Sequence, residues 1–423
     1  MAYTTGGTAV TGAKGQGDFL TARLKYNLDF AELYEPAKQE TPWLTFLLKL
    51  SRKPTDSLEP KSFSNDPAWI NYQFYAAGAG TWSSNVISNL AVDDGSGGSV
   101  GFLRAGLLCR VIHQSGANDT VFVITNVDSQ TQIDIRSMGS NETNIADNDK
   151  IQVIGTAMGS GSSAAPAVNS VLAANQTYCQ DFEDAWSMED TAEAEGVFGP
   201  DEWNRLAAET LKQHKTSINR SMLLSTLDKQ TVTLSGIDSG SVTLRTTYGI
   251  VTFAQDNSSA LMNGYGIVEP SYAAYDYSSF IDHMEQLFAL GSQAKVAIVG
   301  SSVLGFFSKI GSGSFLAGAN VQVMNEAEVF GLAVTKIKTP FGVLNLFWDK
   351  SLRGDGFYKD YMVAVDMDYV KYRPFVGKGK NYDTHLLTNT QNQNQIRIRK
   401  YAYRTVAALE PAFPAVHGLF IFS

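Results

Sequence analysis

From Gly331 to Ser423 the chain reads as one extended segment after another, and any fold must find sheet partners for that closing stretch. Two cues break the run. One is Thr339-Pro340-Phe341-Gly342; the other is the basic, glycine-interrupted Arg373-Pro374-Phe375-Val376-Gly377-Lys378-Gly379-Lys380. The stretch closes on Pro411, Pro414, His417 and Gly418, then the apolar Leu419-Phe420-Ile421-Phe422. Nothing in it reads as an active site.

The segments before it supply the helices such a sheet needs. Gly199-Pro200-Asp201-Glu202 opens a helix with proline near the first turn and carboxylates where the macrodipole favours them. Trp203, Leu206, Ala207, Leu211, Ile218 and Met222 keep three-four spacing, and Lys212, Lys215 and Arg220 lie toward the C-terminal half. This is the strongest helix signal in the chain and predicts a spine for one domain. Ser278 or Ser279 caps a second helix with Phe280, Ile281, Met284, Leu287 and Phe288 on one face and Gly291 as its stop. Lys295 to Gly300 reads as a buried strand, and Ser302 starts a third helix that stops at Gly311. Helix, strand, helix and closing strands make an α+β fold. No repeat of solenoid or propeller length is visible.

The N-terminal part has a different character. The first seventeen residues are small, polar and glycine-rich, expected to move unless a partner holds them. Leu20, Ala22, Leu24, Tyr26, Leu28 and Phe30 alternate with polar residues, which favours an extended segment; the same positions also satisfy a helical pattern. Thr41-Pro42 starts a short helix with Leu44, Leu47 and Leu48 on its face, ending near Arg52-Lys53-Pro54. Nothing here closes a domain, so the region reads as an arm. From Lys61 to about Ala167 short strands recur between turns, including Val121–Ile124, Ile133–Ile135 and Ile151–Ile154, which predicts a small barrel or sandwich. Asp93 to Gly98 is a loop, and Met158 to Pro166 is a linker by composition.

Chemistry is sparse. The five histidines, His113, His214, His283, His385 and His417, show no zinc spacing, and His214 and His283, being within helices, are expected at surface or cap-proximal positions. Cys109 and Cys179 belong to no paired motif and read as buried or free thiols. There is no nucleophile elbow or phosphate loop, and Gly311-Ser312-Gly313-Ser314 follows a helix instead of opening one. We therefore expect no catalytic residue, no cofactor and no metal. The net charge of −9 argues against a dedicated nucleic-acid binder but not against a wall that surrounds nucleic acid. The opening residues carry no secretory signal pattern and no apolar run is long enough to span a membrane.

Charge is segregated. Asp181 to Glu202 holds nine acidic residues and no lysine or arginine, whereas Lys371 to Arg404 holds eight basic residues against Asp383 alone. These stretches are expected to face each other, within a subunit or between subunits, with Glu183, Glu189, Glu193, Arg397, Arg399, Lys400 and Arg404 as candidate assembly contacts. The alternative is two solvated faces. A hydrolase using Glu183 or Glu189 is a distant further reading. In Ile396 to Arg404 the apolar positions shift from even to odd near Lys400, which predicts a bulge or a change of buried face. Its interleaved arginines and tyrosines suit a half-buried ladder better than base stacking.

Taken in order, these parts resemble a tailed-bacteriophage major capsid protein. The residues that carry the resemblance are Thr339 to Leu344 (T-P-F-G-x-L), Ala364-Val365-Asp366 within Tyr361 to Asp366, Val370 to Arg373 (with its Y-R), and Val416-His417-Gly418. Each motif is weak alone; their order carries the likeness. The resemblance implies an N-terminal arm over 1–54, an E-loop over 55–178 carrying an inserted small β-barrel at about 86–158, and a peripheral domain over 179–236 with the spine helix from Pro200 to about Leu227. An axial domain over 237–380 follows, and 381–423 returns to the peripheral domain. It further implies copies of the chain in hexamers and pentamers around double-stranded DNA, with no sequence-specific binding and no membrane. Portal, scaffolding and decoration proteins would be partners, and the virion capsid, assembled in a host cytoplasm, would be the location. Scaffolding would be separate or already removed, since no long charged helical prefix precedes the arm. Lys61 stands in the E-loop, but no crosslinking partner is assigned. The alternative within the same fold is an encapsulin-like nanocompartment shell.

Overall fold

The structure is a computed structural model that describes residues 41–64, 73–76, 86–87, 90–91, 102–113, 119–129, 131–139, 145–146, 149–165, 173–195, 201–234, 240–311, 323–329, 332–353, 358–390 and 397–423. The alternating segment at 20–30, the loop at 93–98 and Ser312 to Ser314 lie outside the described residues. Six α-helices occur among those described: α1 (Pro42–Leu50), α2 (Asp190–Ala194), α3 (Glu202–Leu224), α4 (Ile250–Asp256), α5 (Tyr277–Phe288) and α6 (Ser301–Gly311).

A six-stranded mixed sheet forms the centre of the C-terminal half. Its strand order is Val323–Val329, Leu332–Lys338, Val343–Trp348, Ala294–Val299, Tyr361–Val365, Gly418–Ile421, and only the pair Ala294–Val299 with Val343–Trp348 is parallel. Alternation decides where each side chain goes. Val296, Ile298, Phe347, Val363 and Leu419 enter one apolar cluster with α1, α3 and α4. Ala297, Val299, Leu346, Met362 and Phe420 enter another with α5 and α6. A sheet covered on both faces explains why its strands read as unbroken apolar runs.

A second sheet is organised by the long strand Ile398–Pro411. It pairs along one edge with Gln180–Glu189 and along the other with Val370–Pro374 and His385–Leu387, all antiparallel. Helix α3 packs on one face of this sheet through Trp203, while Cys179, Val406 and Ala408 with Phe375 and Tyr382 cover part of the other.

The third large sheet is antiparallel and seven-stranded, in the order Val86–Ile87, Gln132–Ser137, Thr120–Ser129, Leu107–Ile112, Asp149–Thr156, Gln73–Ala76, Leu90–Ala91. Leu90 N–H, in the last strand, donates at 3.0 Å to Thr131 O, in the turn before Gln132–Ser137. Its apolar core, from Phe74 through Val153, is a cluster of its own. The strand Gln73–Ala76 precedes the stretch at about 86–158, so the sheet also draws on its N-terminal flank. Lys61–Ser64 paired with Ala173–Gln176 forms the two-stranded stem below it.

Several local expectations need correction. Helix α1 buries Trp43, Leu44, Phe46 and Leu47, while Leu48 faces out, and Thr41 makes no side-chain cap. The cap of α5 is Asp276, whose carboxylate accepts from Ser279 N, and not either serine. Helix α3 buries Thr210, His214 and Asn219 where the apolar pattern pointed to Leu206, Ala207 and Leu211, which are only half-buried. Polar residues with dedicated partners define its inner face, so hydropathy alone sets the face a little askew. The strand Ile398–Pro411 keeps uninterrupted register with Gln180–Glu189, so there is no bulge near Lys400.

Candidate functional site

The acidic and basic stretches run side by side within one chain. Register puts Glu183 opposite Arg404, Trp186 opposite Tyr401 and Met188 opposite Arg399. Alternation then separates two faces. On the face toward α3, Trp186 stacks on Tyr403 with centroids 4.9 Å apart, and Trp203 meets Tyr401 edge-on at 5.1 Å. The Arg399 guanidinium lies 4.3 Å from the Trp203 ring and 4.8 Å from Tyr401, and its Nη1 is 2.6 Å from Glu193 Oε1. The Glu193 carboxylate and the Tyr401 hydroxyl raise the Arg399 pKa, Tyr401 contributing more. At the other end of the pair, Arg404 forms a two-oxygen ion pair with Asp181, its Nε 2.9 Å from Oδ1. Hydrogen bonding to Asp181 is the main cause that raises the Arg404 pKa.

Of the seven candidate contacts, the structure thus brings Glu193 to Arg399 and gives Arg404 to Asp181, which was not singled out. Glu183 and Glu189 are exposed and, like Arg397 and Lys400, make no ion pair among the described residues. The missed signal for Asp181 is its position two residues before Glu183, on the same face of an alternating strand.

Of the two histidines expected at surface or cap-proximal positions, His283 is half-buried and His214 is fully buried. His214 Nδ1 lies 2.7 Å from Asp184 Oδ2 and Nε2 lies 2.8 Å from Thr405 Oγ1. Because a carboxylate only accepts, Nδ1–H is the donor. In the seven-stranded sheet, His113 repeats the arrangement with Asp149 at 2.8 Å and Thr120 at 3.3 Å. Carboxylate, imidazole and hydroxyl in line is the order of a nucleophilic triad. Yet Thr120 is 1% exposed and Thr405 0%, so neither hydroxyl meets a substrate. Both constellations satisfy buried polar groups and fix the strands that carry them.

A third buried group joins the motifs that carried the resemblance. Lys295 Nζ donates to Leu290 O at 2.9 Å and Val416 O at 2.5 Å, and lies 3.9 Å from Asp366 Oδ2. Asp366 N–H donates to His417 Nδ1 at 3.2 Å, leaving Nε2–H to donate to Ala412 O at 3.0 Å. Burial drives the His417 pKa down to about 4 and that of Lys295 to about 8. Burial also pushes both thiols, Cys109 and Cys179, up to about 12, so neither is a reactive thiolate near neutrality.

Glu59, below the stem, accepts from Lys229 Nζ at 2.6 Å and Arg245 Nε at 3.2 Å. Those two cations, Lys229 foremost, hold its carboxyl below the usual range. They fasten the excursion to the exposed hairpin Asp228–Thr233 with Ser241–Thr246. Among the described residues no group of three or more His, Cys, Asp or Glu side chains is placed to hold a metal ion, and no helix is long and apolar enough to cross a membrane.

The family model described as SU10 major capsid protein matches residues 25–402. No curated protein matches the sequence. Among solved structures, the capsid of a native GTA particle aligns with TM-score 0.47 and 8% identity, over 95% of this chain and 96% of that one. A structure from Mycobacterium phage Adephagia aligns with TM-score 0.45 and 6% identity, over 97% and 99% of the two chains. The holo-SrpI encapsulin complex of Synechococcus elongatus PCC 7942 aligns with TM-score 0.41 and 8% identity, over 94% and 96%.

Proposed function

This chain belongs to the SU10 major capsid protein family, and is thus a structural capsid protein; from that premise we propose how it builds a shell. Copies associate in hexamers and pentamers and close into an icosahedral capsid around the double-stranded DNA of a tailed phage. The observation that carries this reading is the family match across residues 25–402, most of the chain.

Within that reading residues 1–54 are the arm and 55–178 the E-loop, its seven-stranded sheet an inserted barrel-like module. The division continues with a peripheral domain at 179–236, an axial domain at 237–380 and a peripheral return at 381–423. The separate apolar core of the module and its narrow stem support an insertion carried on an arm-like excursion. In this reading the subunit is structural, and Glu183 and Glu189, exposed on a strand, serve as surface charges. Arg404 acts first within the subunit by fastening the two strands and Arg399 by tying α2 and α3 to the long strand, which leaves Glu183, Glu189, Arg397 and Lys400 for contacts between copies. Portal, scaffolding and decoration proteins complete the particle in the host cytoplasm.

Electron microscopy of the expressed chain tests the reading. Uniform closed shells or their capsomers are expected, and a monodisperse small oligomer overturns it. Nucleic acid and tail proteins in particles purified from infected cells mark a phage capsid, whereas a packaged enzyme marks a nanocompartment.

A further inference from the structure

Removing the charges already paired within the chain leaves a polar subunit. At one end of the sheet built on Ile398–Pro411 lie the close of the strand Gln180–Glu189, helix α2 and the first turns of α3. There Arg399 is taken by Glu193, and Arg205 by Glu202 and Glu209. Glu189, Asp190, Glu195 and Asp201 make no ion pair among the described residues, against Arg397 and Lys400.

The opposite end carries the opposite sign. The chain after α1 runs beside Val370–Pro374, with Arg52 bridged to Tyr372 and Thr55 to Phe375. The hairpin Val376–Gly377 with Lys380–Asn381 projects next to it, Lys378 and Gly379 turning at φ 48° and 77°. Arg52 is taken by Asp383 and Arg373 by Glu410. Lys49, Lys53, Lys371, Lys378 and Lys380 make no ion pair among the described residues, against Asp56 and Asp368. All but Lys371 are exposed.

The two ends are held apart by one continuous strand. Ile398 pairs with Glu189, while the lysine hairpin leaves the sheet where Phe375 and Tyr382 bond Val406, and the eight residue steps from Ile398 to Val406 span about 27 Å at 3.4 Å per residue. That exceeds several screening lengths at physiological salt, so the ends do not neutralise each other within a copy. We propose that the lysine end of one copy seats against the carboxylate end of the next, a head-to-tail contact that orders copies within a ring. This rests on the shell reading and names the partner surface within it. Such a contact is heterologous, and a heterologous contact generates a closed ring when its rotation closes.

The test is charge reversal at each end, with a swap. Lys378→Glu with Lys380→Glu, and separately Glu189→Lys with Glu195→Lys, should each reduce the yield of closed shells about tenfold, because like charges then meet across the contact. All four sites are exposed, so circular dichroism and thermal melting of the subunit should be unchanged. The chain carrying all four changes should regain shells, and raised salt should weaken unaltered capsomers. Single-end variants that assemble normally overturn the proposal while leaving the shell reading intact. So does a swap that fails to restore assembly, which assigns each end a separate role. Lysine-end variants that form normal but DNA-free shells overturn it in favour of a nucleic-acid contact. If the unaltered chain forms no shells at all, the shell reading itself has failed.

Discussion

Asn219 on helix α3 donates from Nδ2 to Asp349 Oδ2 at 2.9 Å, and neither side chain reaches solvent. The same amide accepts from Leu44 N–H through Oδ1 at 2.9 Å. One side chain thereby joins α1, α3 and the turn after the central strand Val343–Trp348. Trp43 Nε1 adds a donation to Met222 O at 3.3 Å. The segment read as an arm is thus latched, at its last helix, onto α3.

Asn219→Leu should destabilise the subunit by roughly 3 kcal/mol, since it leaves a buried carboxylate and a buried backbone N–H short of a partner. Chemical denaturation measures this directly. Gln213→Ala, exposed on the same helix, should lie within about 0.5 kcal/mol of the parent. Equal effects at the two positions would mean the latch contributes nothing beyond helix propensity.

Acid should loosen the His417 cluster. With its pKa lowered from 6.5 to about 4, the folded imidazole stays neutral while the unfolded one takes a proton. Stability is therefore fully present above pH 6.5 and falls with pH by about 1.4 kcal/mol per unit until it levels off near pH 4, about 3 kcal/mol in all. His417→Gln keeps an acceptor and a donor but does not titrate, so the parent should lose stability relative to it across that window. Parallel profiles for the two proteins would contradict the assignment. Lys295 works in the alkaline window: its pKa falls from 10.5 to about 8, so its share is fully present above 10.5 and declines as pH drops through 8.

What the sequence revealed follows from the range of each force. Local signals worked: the carboxylates that open α3, the apolar run Val296 to Val299 and the turn at Thr339 to Gly342 all match the structure. The charge contrast between Asp181–Glu202 and Lys371–Arg404 was equally legible, because it is a property of composition along the chain; the fold then sends Lys378 and Lys400 to different ends of the long strand. Pairings across long separations were not. Nothing near His214 announces that Asp184 and Thr405 will enclose it, and nothing near Asn219 announces Asp349. Those partners are set by topology, and a single sequence carries no periodicity for them.

Gly342 explains why the turn motif ends as it does. A Cβ built there would lie 2.6 Å from Gln293 O and 2.6 Å from the Phe288 ring, both in packed surroundings. Thr339 closes the same turn: its Oγ1 donates to Gly342 O at 2.8 Å and accepts from Gly342 N at 3.1 Å. Gly342→Ala should cost about 2 kcal/mol through overpacking, and Thr339→Val about 1 kcal/mol through lost hydrogen bonds. Thermal melting of the two variants checks the order. A neutral Gly342→Ala would show that α5 and the turn can part without penalty.

Arg373 and Glu410 form the most enclosed ion pair on the long strand, with Nε 2.5 Å from Oε2 and Nη2 3.0 Å from Oε1. Their side chains are 12% and 3% exposed, so water screens them little, whereas Arg52 and Asp383 nearby are 43% and 13% exposed. Removing one partner of a buried pair strands the other charge. Arg373→Met or Glu410→Met alone should therefore cost about 3–5 kcal/mol, and the double variant clearly less than the sum. The same cycle at Arg52 and Asp383 should return a coupling of about 1 kcal/mol or less. Denaturation of the four proteins in each cycle measures both couplings on one scale. If the two couplings came out equal, burial would not be what sets the strength of the Arg373 pair, and its role in joining Val370–Pro374 to the long strand would reduce to register alone.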